Sequence, residues 1–198
     1  MLKRAALGFR AHSGWAALVA LGGPPATPSV LRRGRIELCT RGVHREGQPY
    51  HAAAEMKPED ARAFLDECAR TASSMAQSAL QETVADLSAE GYGIAGACVL
   101  MGSGRSLPGL TKVLAAHPLI HTAEGEFFRG ATRQGCQSCG LALSGVKERD
   151  LAARAAGALG ISGEELARRI ADLGKRIGPP WRQDEKLCAM AAWMLLTG

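Results

Sequence analysis

Residues 5–21, AALGFRAHSGWAALVAL, constrain the fold more than any other stretch of the chain. Two apolar runs, residues 5–11 and 15–21, flank His12-Ser13-Gly14, a turn-forming tripeptide, and together they read as a hairpin. Ala, Leu and Val fill both runs with little polar alternation, which predicts strands buried on both faces and a core assembled around them. Arg10 is the exception. A full charge inside the first strand is expensive to bury alone. It must either pair with a carboxylate, for which Asp184 and Glu124 are the candidates, or stand in a cleft where it can hold an anion.

At 198 residues the chain can bury one sizeable core, and a single domain over residues 1–198 is the expectation. The net charge of +5 admits an anionic partner such as nucleic acid and equally a basic solubility surface. Of the cysteines, Cys39, Cys68, Cys98 and Cys188 fall in apolar-patterned segments, where a free thiol fills space as a small hydrophobe. Cys136 and Cys139 have no second pair at zinc-site spacing. This usage fits a reduced, cytoplasmic chain. Arg10 and His12 interrupt the apolar opening, which argues against an export signal. No run of about 20 apolar residues is present, so no membrane-spanning helix is expected.

Gly22-Gly23-Pro24-Pro25 makes a loop, and residues 30–39 read as a third strand whose Arg35-Ile36-Glu37-Leu38 alternation gives it one solvated face. Residues 40–57 are polar and irregular. Pro58-Glu59-Asp60 starts a helix, because Pro suits the first turn and acids complement its positive end. Apolar residues then recur at helical spacing to Leu87, and Gly91 follows the helix end. Residues 93–101, GIAGACVLM, are too short for a typical helix and read as a buried fourth strand, parallel to the first. A short helix at 108–116, a helix at 123–139 and a strand at 141–146 follow. Helices at 150–159, 163–173 and 184–196 complete the chain. The order is β-β-β-α-β-α-β and then helices.

That order resembles the ribonuclease H-like superfamily: an α/β fold with a central mixed five-stranded sheet flanked by helices. Local residues resemble its Holliday-junction resolvase branch. They are Leu7-Gly8 with Ser13-Gly14-Trp15, Val99-Leu100-Met101-Gly102, Gly145-Val146-Lys147, Gly163-Glu164-Glu165-Leu166, and the run from Asp184 to Ala192. The resemblance implies cutting of nucleic acid by two metal ions held on about four carboxylates, since acidic oxygens suit hard cations that stabilise the attacking and leaving oxygens. This chain departs from that pattern. Arg10 stands where the first strand should present an aspartate, and Ala97 or Gly96 where the fourth should present a glutamate. In the last helix Asp184 matches and Leu187 takes the place of a second aspartate. The resemblance therefore implies the fold without the metal mechanism. The expectation is a non-nucleolytic relative that binds nucleic acid or a protein partner and needs no cofactor.

The alternative is a metal-dependent nuclease or phosphoester hydrolase with a rebuilt site at His121, Glu124, Glu126 and Asp184, using Mg or Mn. His121-Thr122-Ala123-Glu124-Gly125-Glu126 is the densest group of potentially catalytic side chains. Capping explains the same residues: Thr122 as the cap of a helix, with Glu124 and Glu126 at its positive end. Gly102-Ser103-Gly104-Arg105-Ser106 could cradle a phosphate, though it lacks the Lys-Ser/Thr ending of a nucleotide-binding loop. Arg10, His12, Arg105, Lys147 and Arg149 are the candidates for anion or nucleic-acid binding.

Overall fold

The opening hairpin pairs as its sequence dictates. In the computed structural model, which describes residues 2–102, 104 and 106–197, β1 (Lys3–His12) runs antiparallel to β2 (Trp15–Gly22), with His12 opposite Trp15. β3 (Ser29–Glu37) extends the hairpin on the β2 side. α1 (His44–Gly47), α2 (Pro49–Ala53) and the 32-residue α3 (Pro58–Ala89) lead to β4 (Tyr92–Met101), which lies parallel to β1. α4 (Leu110–Leu114) and α5 (His117–Ser138) precede β5 (Leu143–Lys147), parallel to β4. α6 (Glu148–Leu159), α7 (Gly163–Ile177) and α8 (Gln183–Leu195) follow. The sheet order is β3-β2-β1-β4-β5, the mixed five-stranded sheet expected from the sequence.

Strand alternation sends β1 side chains to two separate layers. Leu7 and Phe9 join Ala97, Val99, Leu80 and Phe128 under α3 and α5. Ala6 packs on the other face with Ala189, Ala192 and Trp193 of α8. Small residues let the helices approach closely. A Cβ on Gly8 would fall 1.9 Å from the Cys188 carbonyl oxygen, so α8 lies directly on the β1 backbone. Between α3 and α5, a Cβ on Gly135 would meet that of Ala76 at 2.8 Å. Trp193 is fully buried and its Nε1–H donates to the Pro25 carbonyl at 2.8 Å, which ties α8 to the loop after β2.

β3 forms one edge of the sheet, and its arginines are engaged. Arg32 pairs with Glu90. Arg33 donates to the carbonyls of Gly178, Pro179 and Pro180. The Arg35 guanidinium lies 4.3 Å from the centre of the Trp15 ring.

Two expectations are corrected. Residues 40–57, read as irregular, contain α1 and α2; Pro49 occupies the first turn of α2, and Ala53 is buried with Ala61 and Leu65. The helix expected from residue 123 begins at His117, because Pro118 in its first turn starts it earlier. Thr122 therefore does not cap it. Its hydroxyl donates to the Pro118 carbonyl one turn back, at 2.9 Å. No helix among the described residues is long and apolar enough to cross a membrane.

Candidate functional site

The three parallel strands β1, β4 and β5 end on the same side of the sheet, where open α/β sheets place their ligand clefts. A cleft of about 310 Å³ opens there, lined from β1 by Arg10 and His12, from β4 by Leu100 and from β5 by Lys147, with Arg129 of α5 and Glu148 at the start of α6.

Arg10 is spent within this cleft. Its Nη1 donates to Asp184 Oδ1 at 2.5 Å, while Nε and Nη2 donate to the two carboxylate oxygens of Glu148 at 3.0 and 3.2 Å. The Glu148 contact is a two-pronged guanidinium–carboxylate pair, the most directional form of such a bond. His12 Nε2 lies 3.0 Å from the same Asp184 oxygen, and its ring stacks on Trp15 with centroids 4.2 Å apart. Of the two partners expected for Arg10, Asp184 is the one used. Glu124 is replaced by Glu148, which opens α6 two residues before the helix start expected at residue 150.

Partial burial raises the Asp184 carboxyl, but the Arg10 and His12 contacts outweigh it and hold the group below its ordinary value of 3.8. Burial likewise works against the Arg10 charge, and Asp184 and Glu148 overcome it to raise its pKa. A carboxyl that binds its proton less tightly when folded contributes stability that is present above the unfolded value and lost as pH falls through the folded one. Asp184→Asn is thus expected to flatten the loss of stability below about pH 4, read from urea midpoints across pH. An acid limb identical to the wild type's would sink this assignment.

The four residues of the rebuilt-site alternative do not form one metal-holding group among the described residues. Asp184 belongs to the Arg10 cleft. Glu126 accepts from Arg129 at 2.8 Å, beside Gly102 at the end of β4. Glu124 is 3% exposed; its Oε2 accepts from the Tyr50 backbone N–H at 3.1 Å and lies 3.3 Å from His51 Nδ1. Burial pushes this carboxyl up despite those contacts. His121 faces His51 and His117 instead of the cleft acids, with ring centroids 4.8 and 4.4 Å away. His51 and His117 escaped sequence reasoning, although His117 and His121 share a helix face by their spacing.

Among the cations, Lys147 makes no salt bridge among the described residues, and Arg149 reaches Asp150 at 3.5 Å. Arg105 lies outside the described residues.

No protein-family model matches the chain, and no curated protein matches it. Solved structures do. Thermus thermophilus RuvC in complex with Holliday junction substrate superposes with a TM-score of 0.55 at 11% identity, covering 96% of this chain and 91% of that one. The chain has the fold of a Holliday-junction resolvase. A second Thermus thermophilus RuvC structure gives a TM-score of 0.49 at 11% identity, with 96% and 92% covered.

Within this resolvase fold the donor set does not suit a pair of hard divalent cations. Such ions take oxygen ligands, yet the charged group β1 contributes is a guanidinium. On β4 the two positions compared, Ala97 and Gly96, lie on opposite faces. A register shift in the β1–β4 pairing puts Ala97 in the layer under α3 and α5, away from Arg10, while Gly96 lies on the α8 side. Leu100 and Met101 are the β4 residues that line the cleft with Arg10. Neither residue is a carboxylate. Leu187 is buried against Leu100 and Leu151 and supplies no oxygen.

Proposed function

We propose that the cleft at the ends of β1, β4 and β5 binds nucleic acid through its phosphates and does not cleave it by two-metal chemistry. One observation carries this reading: the Arg10 guanidinium spans Asp184 and Glu148, filling with positive charge the space between the two acids. A cation approaching these carboxylates meets charge repulsion from Arg10, and both Glu148 oxygens and Oδ1 of Asp184 already accept from its N–H groups. Arg10 balances one of the two acids, Arg129 is held by Glu126, and Lys147, which makes no salt bridge among the described residues, with the exposed Arg149 beside it, supplies the outward positive charge of the cleft. Phosphate oxygens suit such groups. The likeness to a resolvase in complex with Holliday junction substrate supports a nucleic-acid ligand and, within that class, a branched one.

The test compares a four-way DNA junction with a plain duplex at about 50 and about 200 mM salt. Salt-sensitive binding, tighter for the junction, is expected. Replacing Lys147 and Arg149 by Ala should lower the slope of log affinity against log salt by about 2. Incubation with Mg²⁺ or Mn²⁺ should yield no cleavage. A complex insensitive to salt, or no complex at either concentration, would overturn the binding half of the reading. Cleavage abolished by Asp184→Asn would overturn the other half.

A further inference from the structure

At the N-terminal end of α5 the chain gathers three histidines that the nucleic-acid cleft does not use. We propose that His51, His117 and His121 form a binding site for a borderline divalent metal, zinc by preference, with Glu124 as the group that orients one ligand. Each ring offers one nitrogen, and the three lie within 4.8 Å of one another. Around a zinc ion with bonds of 2.0–2.1 Å, tetrahedral ligands sit about 3.3 Å apart, so small ring rotations close the site. Two of the rings, His117 and His121, are exposed and free to make them.

The chemistry of the donors selects the ion. Three imidazoles suit zinc, copper or nickel, and they offer nothing that Mg²⁺ or Ca²⁺ prefers over water. His117 and His121 stand one turn apart on α5, a spacing that presents two rings from one helix face to one point. His51 arrives from α2 on a separate stretch of chain, so an ion would clasp α2 to α5.

The second observation is Glu124. Its carboxylate is buried, one helical turn after His121, and its Oε2 receives the Nδ1 side of His51 at 3.3 Å. A carboxylate accepting from one imidazole nitrogen fixes the tautomer and leaves the other nitrogen deprotonated and able to ligate, the outer-shell arrangement that metal-binding histidines use. The other oxygen, Oε1, is buried without a hydrogen-bond partner among the described residues. A buried carboxylate with one orphaned oxygen is costly for a fold that gains nothing from it; orienting and strengthening a metal ligand supplies that gain. Three protein donors leave a fourth position on the solvent side, where water or a small donor ligand can enter.

The experiment uses the full chain, purified without a histidine tag and stripped with a chelator. Calorimetric titration with Zn²⁺ is expected to give one equivalent bound and a thermal midpoint that rises with zinc concentration. His117→Ala and His121→Ala alter exposed side chains and should each weaken binding about 100-fold or more while the zinc-free melt is unchanged. Glu124→Gln should weaken it about 10- to 100-fold. Co²⁺ substitution should give a tetrahedral visible spectrum without thiolate charge-transfer bands. Absence of binding, binding unaffected by His117→Ala and His121→Ala, or thiolate bands that place the ion on the cysteines would each overturn the proposal. None of these readouts involves nucleic acid, so the zinc site and the nucleic-acid cleft stand or fall separately.

Discussion

Gly8→Ala is expected to destabilise the protein by about 3 kcal/mol or more. The added Cβ would sit 1.9 Å from the Cys188 carbonyl oxygen, 2.8 Å from its carbonyl carbon and 2.9 Å from the Ala192 nitrogen. All three are backbone atoms of α8, so no rotamer change relieves the clash. The helix must lift off β1, and close-packed interiors yield little. Lifting it opens the layer that holds Trp193, Ala189 and Ala192, and it also draws Asp184 away from Arg10. At roughly 2–4 °C per kcal/mol for a chain of this size, the thermal midpoint should fall by about 6–12 °C. Gly157→Ala in α6 is the control: nothing lies within 4 Å of where its added Cβ would sit, and relief of glycine's backbone entropy should stabilise by about 0.5–1 kcal/mol. A Gly8→Ala melt within about 0.5 kcal/mol of wild type would show that α8 does not bear on the strand as described.

Arg10→Asp should invert the chemistry of the cleft. It removes the guanidinium that matches Asp184 and Glu148 and adds a third carboxylate from β1, beside one from α6 and one from α8. Three acids facing one another repel, and with partly exposed partners the cost is about 1–3 kcal/mol, less than for a fully buried pair. The same repulsion makes a divalent cation welcome, since hard cations take carboxylate oxygens. Titration with Mn²⁺ should reveal a site in the variant that is absent from the wild type, and the salt-sensitive binding of DNA should weaken by about tenfold or more. A folded Arg10→Asp protein that ignores Mn²⁺ and keeps its DNA affinity would show that Arg10 does not govern the cleft.

The sheet was legible because its signals are local. The unbroken apolar runs of β1 and β2, the glycine-bounded run of β4 and the period of α3 each declare an element within a dozen or so residues, and their order limits the topology. The start of α5 was obscured because Leu119 and Ile120 follow Pro118 in a stretch that reads as a turn. The partner of Arg10 was half legible: a buried charge demands an acid, and Asp184 was within reach of that argument. Glu148 was not, because the residue pattern starts the helix at residue 150 and puts Glu148 in the connection before it, whereas α6 begins at Glu148. Which of Ala97 and Gly96 shares a face with Arg10 could not be read locally, because one register shift exchanges the two sides of a strand. The histidine cluster depends on α2 meeting α5, and nothing local joins His51 to a carboxylate 73 positions away.

The arginines of β3 also govern how copies of this chain meet. An outer strand offers unpaired amides and carbonyls to any passing strand, an invitation to sheet-to-sheet accretion. Here Arg32 and Arg35 are committed to Glu90 and to Trp15, and Arg33 holds the turn between α7 and α8 against the strand's flank. A second copy seeking to add a strand would have to strip these charged side chains of water. The border is fenced by the same residue type that elsewhere in the chain occupies the cleft, so its positive charge keeps molecules apart at one margin while it serves binding at another.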